Sequence, residues 1–433
     1  MSGFIKSDRF RRLSREGFWV VLGQVMAVLG ALVGVRVLTE LLAPAEYGEL
    51  ALGMTVAILV NQVVFGPLSQ GVTRFYAPAV ERGDLDGYLS AVSRLVLLAS
   101  GGVTVLVLLI VAGLLVLGAS GWIWIAIVTL VFATLSGYSA IFNGIQNAAR
   151  QRPIVALHQA MEAWMRFSIA AGLIIWLAPT SLVAVIGYVI ATIVVLGSQQ
   201  YMFFKKISPQ LIIKADNVNV WQRQIWKYTW PISFFGIFTW AQLVSDRWAL
   251  GLFSTAQEVG LYAVLFQLGY YPMSMVTGMV MQLLGPIFFQ RAGDASDNQR
   301  NANVNKLSWK LTISTLGVTG VAFLVALLLH EYVFYVFVAA EYSSVSYLLP
   351  WALLAGGIFA AGQTIALNMM SLMKTRIMME AKIVTALIGV GLNFAGAYWY
   401  GIEGVVLAGV AFSLLFLCWM VVLSKNKEIK ECL

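Results

Sequence analysis

PIVALHQAMEAWMRFSIAAGLIIWL, from Pro153 to Leu177, decides how this chain is read. The stretch is long and apolar enough to cross a bilayer, yet it carries His158, Glu162 and Arg166. These three are spaced four apart, so on a helix they form one polar stripe with apolar residues on the other faces. At about 1.5 Å rise per residue, Glu162 and Arg166 lie roughly 15 and 20 Å past the Arg152 end. That is near the middle of a hydrocarbon layer about 30 Å thick, where ionisable side chains are costly and face a cavity or a partner helix. One reading is a buried Glu162–Arg166 pair that locks two helices together. The other is the wall of a wet, charged pathway, which His158 on the same stripe favours.

The rest of the chain sets the class. Only 11% of the 433 residues are charged and 60% are apolar, the composition of a polytopic helical membrane protein. A β-barrel needs segments of about 10 residues with alternating polarity, whereas this chain has unbroken apolar runs of roughly twice that length. Lys6, Arg9, Arg11, Arg12 and Arg15 precede a first apolar run of span length, which argues against a signal peptide. The short basic stretch Phe4 to Leu13, with Phe and Leu interspersed, is expected on the inner membrane surface. Cys418 lies in an apolar run and Cys432 in a charged tail, so neither points to a disulfide or a metal site.

About twelve spans are expected, near 17–42, 48–72, 89–117, 122–148, 153–177, 181–203, 228–253, 259–287, 307–329, 347–371, 379–400 and 403–423. The fourth and fifth are separated by Arg150–Arg152, the last two by Trp399–Glu403. With the N-terminus inside, 25 of the 28 basic residues, Lys382 among them, fall in inner loops or tails. The other three, Arg36, Arg166 and Arg247, fall inside spans. Outer connections carry only acids, Glu258 and Glu403 for example. An odd span count would scatter basic residues to both sides, so both termini are expected in the cytoplasm. The same distribution accounts for the net charge of +8, which needs no nucleic-acid partner.

The expected layout is a basic cytoplasmic segment 1–16, an N-lobe of six transmembrane helices at 17–203, a cytoplasmic inter-lobe linker at 204–227, a six-helix C-lobe at 228–423 and a cytoplasmic tail at 424–433. A faint internal repeat supports two halves. RVLTELLAPAEYGELAL from Arg36 matches RWALGLFSTAQEVGLYAV from Arg247, each with a turn followed by Gly48 or Gly260. NGIQNAARQR from Asn143 likewise matches NMMSLMKTR from Asn368. Six spans per unit give a parallel repeat. Gly66-Pro67 and Gly285-Pro286 are candidate bend points, and Pro272 a candidate kink.

The sequence lacks the equipment of a soluble enzyme. There is no GxxxxGK[ST] phosphate loop, the only histidines are His158 and His330, and no His/Cys cluster has metal spacing, so neither metal nor cofactor is expected. The longest outer loop, around His330 to Ser346, is too short for an extracytoplasmic domain. That leaves a transporter's layout. Besides the opening stripe, Arg36 shares the first span with Gln24, and Gln242, Asp246 and Arg247 sit in the seventh. Gln242 and Asp246 are four apart on one face, with Arg247 about 100° away. Arg36 has an alternative as a snorkelling residue, and Asp246–Arg247 as a self-neutralising pair. Three in-span arginines would together cost about 7–10 kcal/mol facing lipid, most of which a water-filled cleft removes. Three arginines against two acids leave a slight cationic excess, and the guanidinium fork suits phosphate oxygens.

RVLTELLAPAEYGELAL, SDRWALGLFSTAQEVGLYAV and the late NFAGAYWYGIEGVVLAG resemble, over essentially the whole length, the polysaccharide flippase family of the MATE-like superfamily, which exports O-antigen, capsule and exopolysaccharide units. The resemblance implies an all-α integral membrane fold of about 12 transmembrane helices in two six-helix lobes around a central cationic cavity. It implies alternating access that carries a polyprenyl-diphosphate-linked oligosaccharide to the outer leaflet of a bacterial cytoplasmic (inner) membrane. A polysaccharide polymerase and chain-length machinery are the protein partners it suggests. Arg36 and Asp246–Arg247 match its motif positions, whereas His158, Glu162 and Arg166 rest on the residue argument alone. The expected substrate contacts are Arg36, Arg166, Arg247, Gln24 and Gln242. His158, Glu162 and Asp246 are expected to serve coupling or charge pairing. Two alternatives stand beside this, a multidrug antiporter of the same fold and a membrane-embedded polysaccharide polymerase or ligase. The short outer loops count against the second.

Overall fold

A computed structural model of the protein describes residues 2–207, 217–293 and 297–425. Within a bilayer an unpaired backbone amide costs several kcal/mol, so long apolar runs close their hydrogen bonds along themselves as helices. Nearly all the described residues do so. Helix α1 is Ser2–Leu41, and α2 is Pro44–Glu81 with a π-helical segment at Asn61–Phe65. Next come α3 (Leu85–Val116), α4 (Ile123–Ala148), α5 (Arg152–Trp176), α6 (Ser181–Ile207) and α7 (Val218–Phe253). Helix α8 is Ala256–Leu268, resumed after Gly269 as Tyr270–Ala292. Helix α9 is Asn298–Phe337, and α10 is Leu349–Ser371 after a 3₁₀ stretch at Ala340–Leu348. The final run, Thr375–Lys425, divides at Gly401 into α11 (375–400) and α12 (402–425).

Among the described residues, nine stretches are long and apolar enough to cross a membrane by length and composition. The last of them contains Gly401, so it supplies two helices. The two long helices outside that set are α5 and α7, which carry Glu162 and Arg166, and Asp246 and Arg247. Twelve long helical runs result, and the least apolar pair holds the candidate site.

The helices outrun the apolar windows from which spans are read. Helix α2 continues to Glu81 instead of ending near 72, and α7 begins at Val218 instead of 228. The linker expected at 204–227 is helical at both edges, and its centre, 208–216, lies outside the described residues, as do 426–433 of the tail. The outer loop expected around His330 to Ser346 is not open loop, since α9 runs to Phe337 and the 3₁₀ stretch covers Ala340–Leu348. Lys382 is corrected as well: it lies two turns inside α11, its ammonium donating to Gln363 Oε1 at 3.3 Å. Backbone hydrogen bonding continues past the lipid boundary, where apolarity no longer signals it.

The breaks follow from proline and glycine. Pro272 has no N–H for the carbonyl four residues earlier, and α8 breaks one residue past that carbonyl, at Gly269. Gly66-Pro67 is not at the end of α2 but in its middle, directly after the π segment. Gly401 has φ 55° and ψ −133°, a conformation that side chains other than glycine's rarely adopt. A Cβ there would also stand 3.2 Å from Glu258 Oε2. Gly401→Ala is therefore expected to cost about 1–3 kcal/mol, read as a lower midpoint of heat-induced loss of monomer in detergent. An unchanged midpoint would mean that the α11–α12 corner is not held as described.

The chain forms two compact units. One comprises Met1–Leu42 and Leu50–Trp240, the other Ala43–Glu49 and Ala241–Leu433. In the first, small residues allow close helix approach, as the lack of a hydrophobic driving force in lipid requires. Gly23 stands against Ala156, Gly30 against Ala163 and Gly34 against the Phe167 ring, so α1 and α5 run parallel in contact. Trp164 Nε1 donates to the Met26 carbonyl at 3.1 Å across that seam. In the second unit the two turns of the internal repeat meet reciprocally. A Cβ on Gly48 would strike the Ala256 carbonyl oxygen at 1.9 Å, and one on Gly260 the Pro44 carbonyl oxygen at the same distance.

Candidate transport site

In the first unit, the α1–α5 seam and the adjoining α6 and α4 place the opening stripe. Arg166 Nη2 donates to Glu162 Oε1 at 2.6 Å, with the two side chains 26% and 19% exposed. The guanidinium lies 5.0 Å from the Phe132 ring centroid on α4 and 5.6 Å from that of Tyr188 on α6. Aromatic faces compensate a partly desolvated cation without using its N–H groups. One of those groups, the buried Nε–H, has no hydrogen-bond partner among the described residues. The arginine is thus held by one carboxylate and two rings, and keeps a donor uncommitted.

His158 does not join that pair. It is buried, its Nδ1 lies 2.8 Å from the Ile154 carbonyl, and its Nε2 lies 3.3 Å from Ser198 Oγ on α6. A carbonyl only accepts, so Nδ1 carries the proton, and in the neutral ring Nε2 takes the serine hydroxyl's. Both ring nitrogens are used, and the residue acts as a strut between α5 and α6. Helical rotation is the cause. Eight residues turn about 80° beyond two full turns, so His158 and Arg166 face different neighbours.

Arg36 pairs with Glu40 at 2.5 Å, both side chains well exposed at 39% and 50%. This fits the snorkelling alternative, and an exposed pair of this kind contributes little to stability. Gln24 is half-buried on α1 beside Gly23. A buried amide network that the residue reading missed joins α4 to α6. Gln199 Oε1 accepts from the Ser139 hydroxyl at 3.0 Å, while its Nε2 donates to Asn143 Oδ1 and Gln146 Oε1 at 2.9 and 3.1 Å. The quoted NGIQNAARQR contains two of these amides, which was the available signal.

In the second unit, Asp246 and Arg247 on α7 are almost fully buried. Asp246 Oδ2 accepts the Tyr262 hydroxyl at 2.7 Å, and Oδ1 accepts the Arg247 backbone N–H at 2.7 Å. Arg247 Nη1 is 3.8 Å from that carboxylate, and its guanidinium sits 4.6 Å from the Phe266 centroid. Gln242, Asp246, Tyr262, Tyr270 and Asn393 border a cavity of about 40 Å³. That is space for a few waters and no sugar. Asn393 Nδ2 donates to Ser245 Oγ at 2.8 Å, so the stretches SDRWALG and NFAG touch. Tyr262 and Asn393 are site residues that reasoning along single helices did not single out, though both stand in the quoted motifs.

Among the described residues no group of His, Cys, Asp and Glu could hold a metal ion. What the fold and site define is a multi-pass integral membrane protein of the transporter type, with ionisable groups inside its helices. The chain belongs to the family of polysaccharide biosynthesis proteins, whose model matches residues 13–291. No curated protein matches it significantly. Among solved structures, an inward-facing multidrug resistance MATE family transporter of the MOP superfamily superposes with a TM-score of 0.74 at 12% identity, covering 94% of this chain and 96% of that one. The lipid II flippase MurJ in an inward closed conformation gives 0.70 at 13% identity, with 95% and 87% covered. A MOP superfamily transporter from Pyrococcus furiosus, described by the reverse polarity of its binding pocket, gives 0.64 at 15% identity, with 95% of each chain covered. At such identities these likenesses establish the fold, which is MATE-like.

Proposed function

We propose that this protein is a flippase that moves a polyprenyl-diphosphate-linked oligosaccharide from the inner to the outer leaflet of a bacterial cytoplasmic membrane by alternating access, with both termini in the cytoplasm. The observation that carries the reading is Arg166. Its Nε–H is buried and unpartnered at mid-helix depth, an arrangement that natural proteins rarely keep without a role. A diphosphate oxygen is a fitting acceptor for it. Arg36 and Arg247 are secondary anion contacts, since Glu40 and Asp246 already engage them. Gln24 serves sugar hydroxyls, Gln242 borders space for water alone, and Glu162 and Asp246 are the carboxylates suited to proton coupling. If the diphosphate crosses with two charges, an inside-negative potential of about 100 mV favours outward movement by roughly 4–5 kcal/mol.

A multidrug antiporter shares this fold, and the buried Asp246 is the feature that would suit a cationic drug. Its oxygens are committed to Tyr262 and to the Arg247 backbone, which weighs against that reading. Deletion of the gene distinguishes the two. The flippase reading expects single lipid-linked repeat units to accumulate on the cytoplasmic side with drug susceptibility unchanged. Normal surface glycan together with drug hypersensitivity would overturn it.

A further inference from the structure

The first unit also contains a groove that the site above does not use, with a volume of about 820 Å³, within the range of ligand-binding clefts. One wall is apolar, built from Val63, Val64 and Leu68 of α2 and from Leu95, Leu98 and Gly102 of α3. Val63 and Val64 belong to the π segment, a type of irregularity concentrated at functional sites. No atom lies within 4 Å of where a Cβ on Gly102 would be, which leaves that end of the wall open.

The opposite wall is polar and comes from a single helix. Asn219, Gln222, Arg223, Trp226, Thr229 and Ser233 of α7 all border the groove. Their spacing of three and four puts them on one face, and from Asn219 to Ser233 that face extends about 21 Å. Arg94 Nη1 on α3 donates to Asn219 Oδ1 at 3.4 Å, tying α3 to the Asn219 end of that wall. Neither Gln222 nor Ser233 spends its side chain on a hydrogen bond among the described residues. A groove for an ordinary acyl chain would need no such track of amides, hydroxyls and guanidinium. An amphiphile with a hydrocarbon chain, phosphate and sugar matches both walls.

Resting on the flippase reading, we propose that this groove receives the lipid-linked oligosaccharide itself. On entry, before the diphosphate passes to Arg166, the polyprenyl chain lies along the α2–α3 wall, the diphosphate meets Arg223, and the first sugars run along α7 toward Ser233. The tail then stays in contact with lipid throughout the cycle, on the flank of one unit.

The test uses the full-length protein in vesicles containing undecaprenyl diphosphate bearing one N-acetylglucosamine, with phosphatidylglycerol in excess. With Leu98 replaced by photoreactive p-benzoylphenylalanine, mass spectrometry of the adducts should show the polyprenyl probe enriched over its share of the lipid. The same replacement at Leu324, an exposed residue of the other unit, should show no enrichment. Leu98→Trp and Gly102→Trp, which fill the groove, should cut transbilayer movement of the probe about tenfold, while Leu324→Trp leaves it unchanged. Adducts in proportion to lipid abundance, or wild-type movement with the groove filled, would overturn the proposal. Absence of movement in the wild type would instead reject the flippase reading, and the adduct ratio would still report on the groove.

Discussion

Asp246→Ala should remove most of the folded protein from the membrane. The carboxylate accepts from the Tyr262 hydroxyl and from the Arg247 backbone and faces the Arg247 guanidinium, all in a nearly fully buried setting. Deleting one partner of a buried charged set leaves an uncompensated cation, at a cost of about 3–5 kcal/mol. Asp246→Asn keeps an acceptor for Tyr262 and should cost less, about 1–3 kcal/mol. Replacing both charges by apolar groups, as in Asp246→Ala with Arg247→Leu, should restore much of the stability, because buried ion pairs are often no better than well-packed hydrocarbon. Transport should not return in that double variant if the pair serves the substrate or the coupling ion. Thermal midpoints in detergent measure the first effect and vesicle flux the second. A stable Asp246→Ala protein would show that the carboxylate is not confined as described.

Gly48→Ala and Gly260→Ala form the second pair of large effects. Each added Cβ meets a main-chain carbonyl at 1.9 Å, and no rotamer change relieves a clash with backbone. Overpacking usually costs 1–3 kcal/mol, and a rigid obstacle puts these two at about the top of that range or beyond. Because the contact is reciprocal, the two substitutions should be equally damaging. Gly113→Ala, where nothing lies within 4 Å, is the matched control. It should be neutral or slightly stabilising, since alanine favours the helix by up to about 1 kcal/mol. Equal behaviour at all three positions would argue against the packing of the repeated turns.

The repeat illustrates how much was legible. A bilayer permits few spanning structures, so composition and apolar run length sufficed for an all-helical membrane protein. Gly48 and Gly260 could be paired from two short matching stretches, and they do face each other. Glu162 and Arg166, four apart on one helix, were equally accessible and do bond. Relations between helices were not. Tyr262 reaches Asp246 from the next helix, and Asn393 reaches Ser245 from 148 residues away, with no periodicity linking them. His158, expected on the same stripe, meets Ile154 and Ser198 instead of the pair, because a four-residue spacing drifts around the helix and two steps of drift change its neighbour. A charge near Arg376 resembles a span boundary, so the sequence places Lys382 in a loop although it lies within α11. A long side chain with a glutamine partner tolerates a deeper position.

If Arg166 is the anion contact, its removal should abolish transport. Purified wild-type protein and Arg166→Ala are reconstituted at equal amounts in vesicles, and movement of an undecaprenyl-diphosphate-linked oligosaccharide between leaflets is followed under an imposed potential. The prediction is potential-sensitive movement by the wild type and its loss, about a hundredfold or 2.7 kcal/mol, in a variant that remains folded. Equal movement by the two proteins would show that Arg166 is not an anion contact.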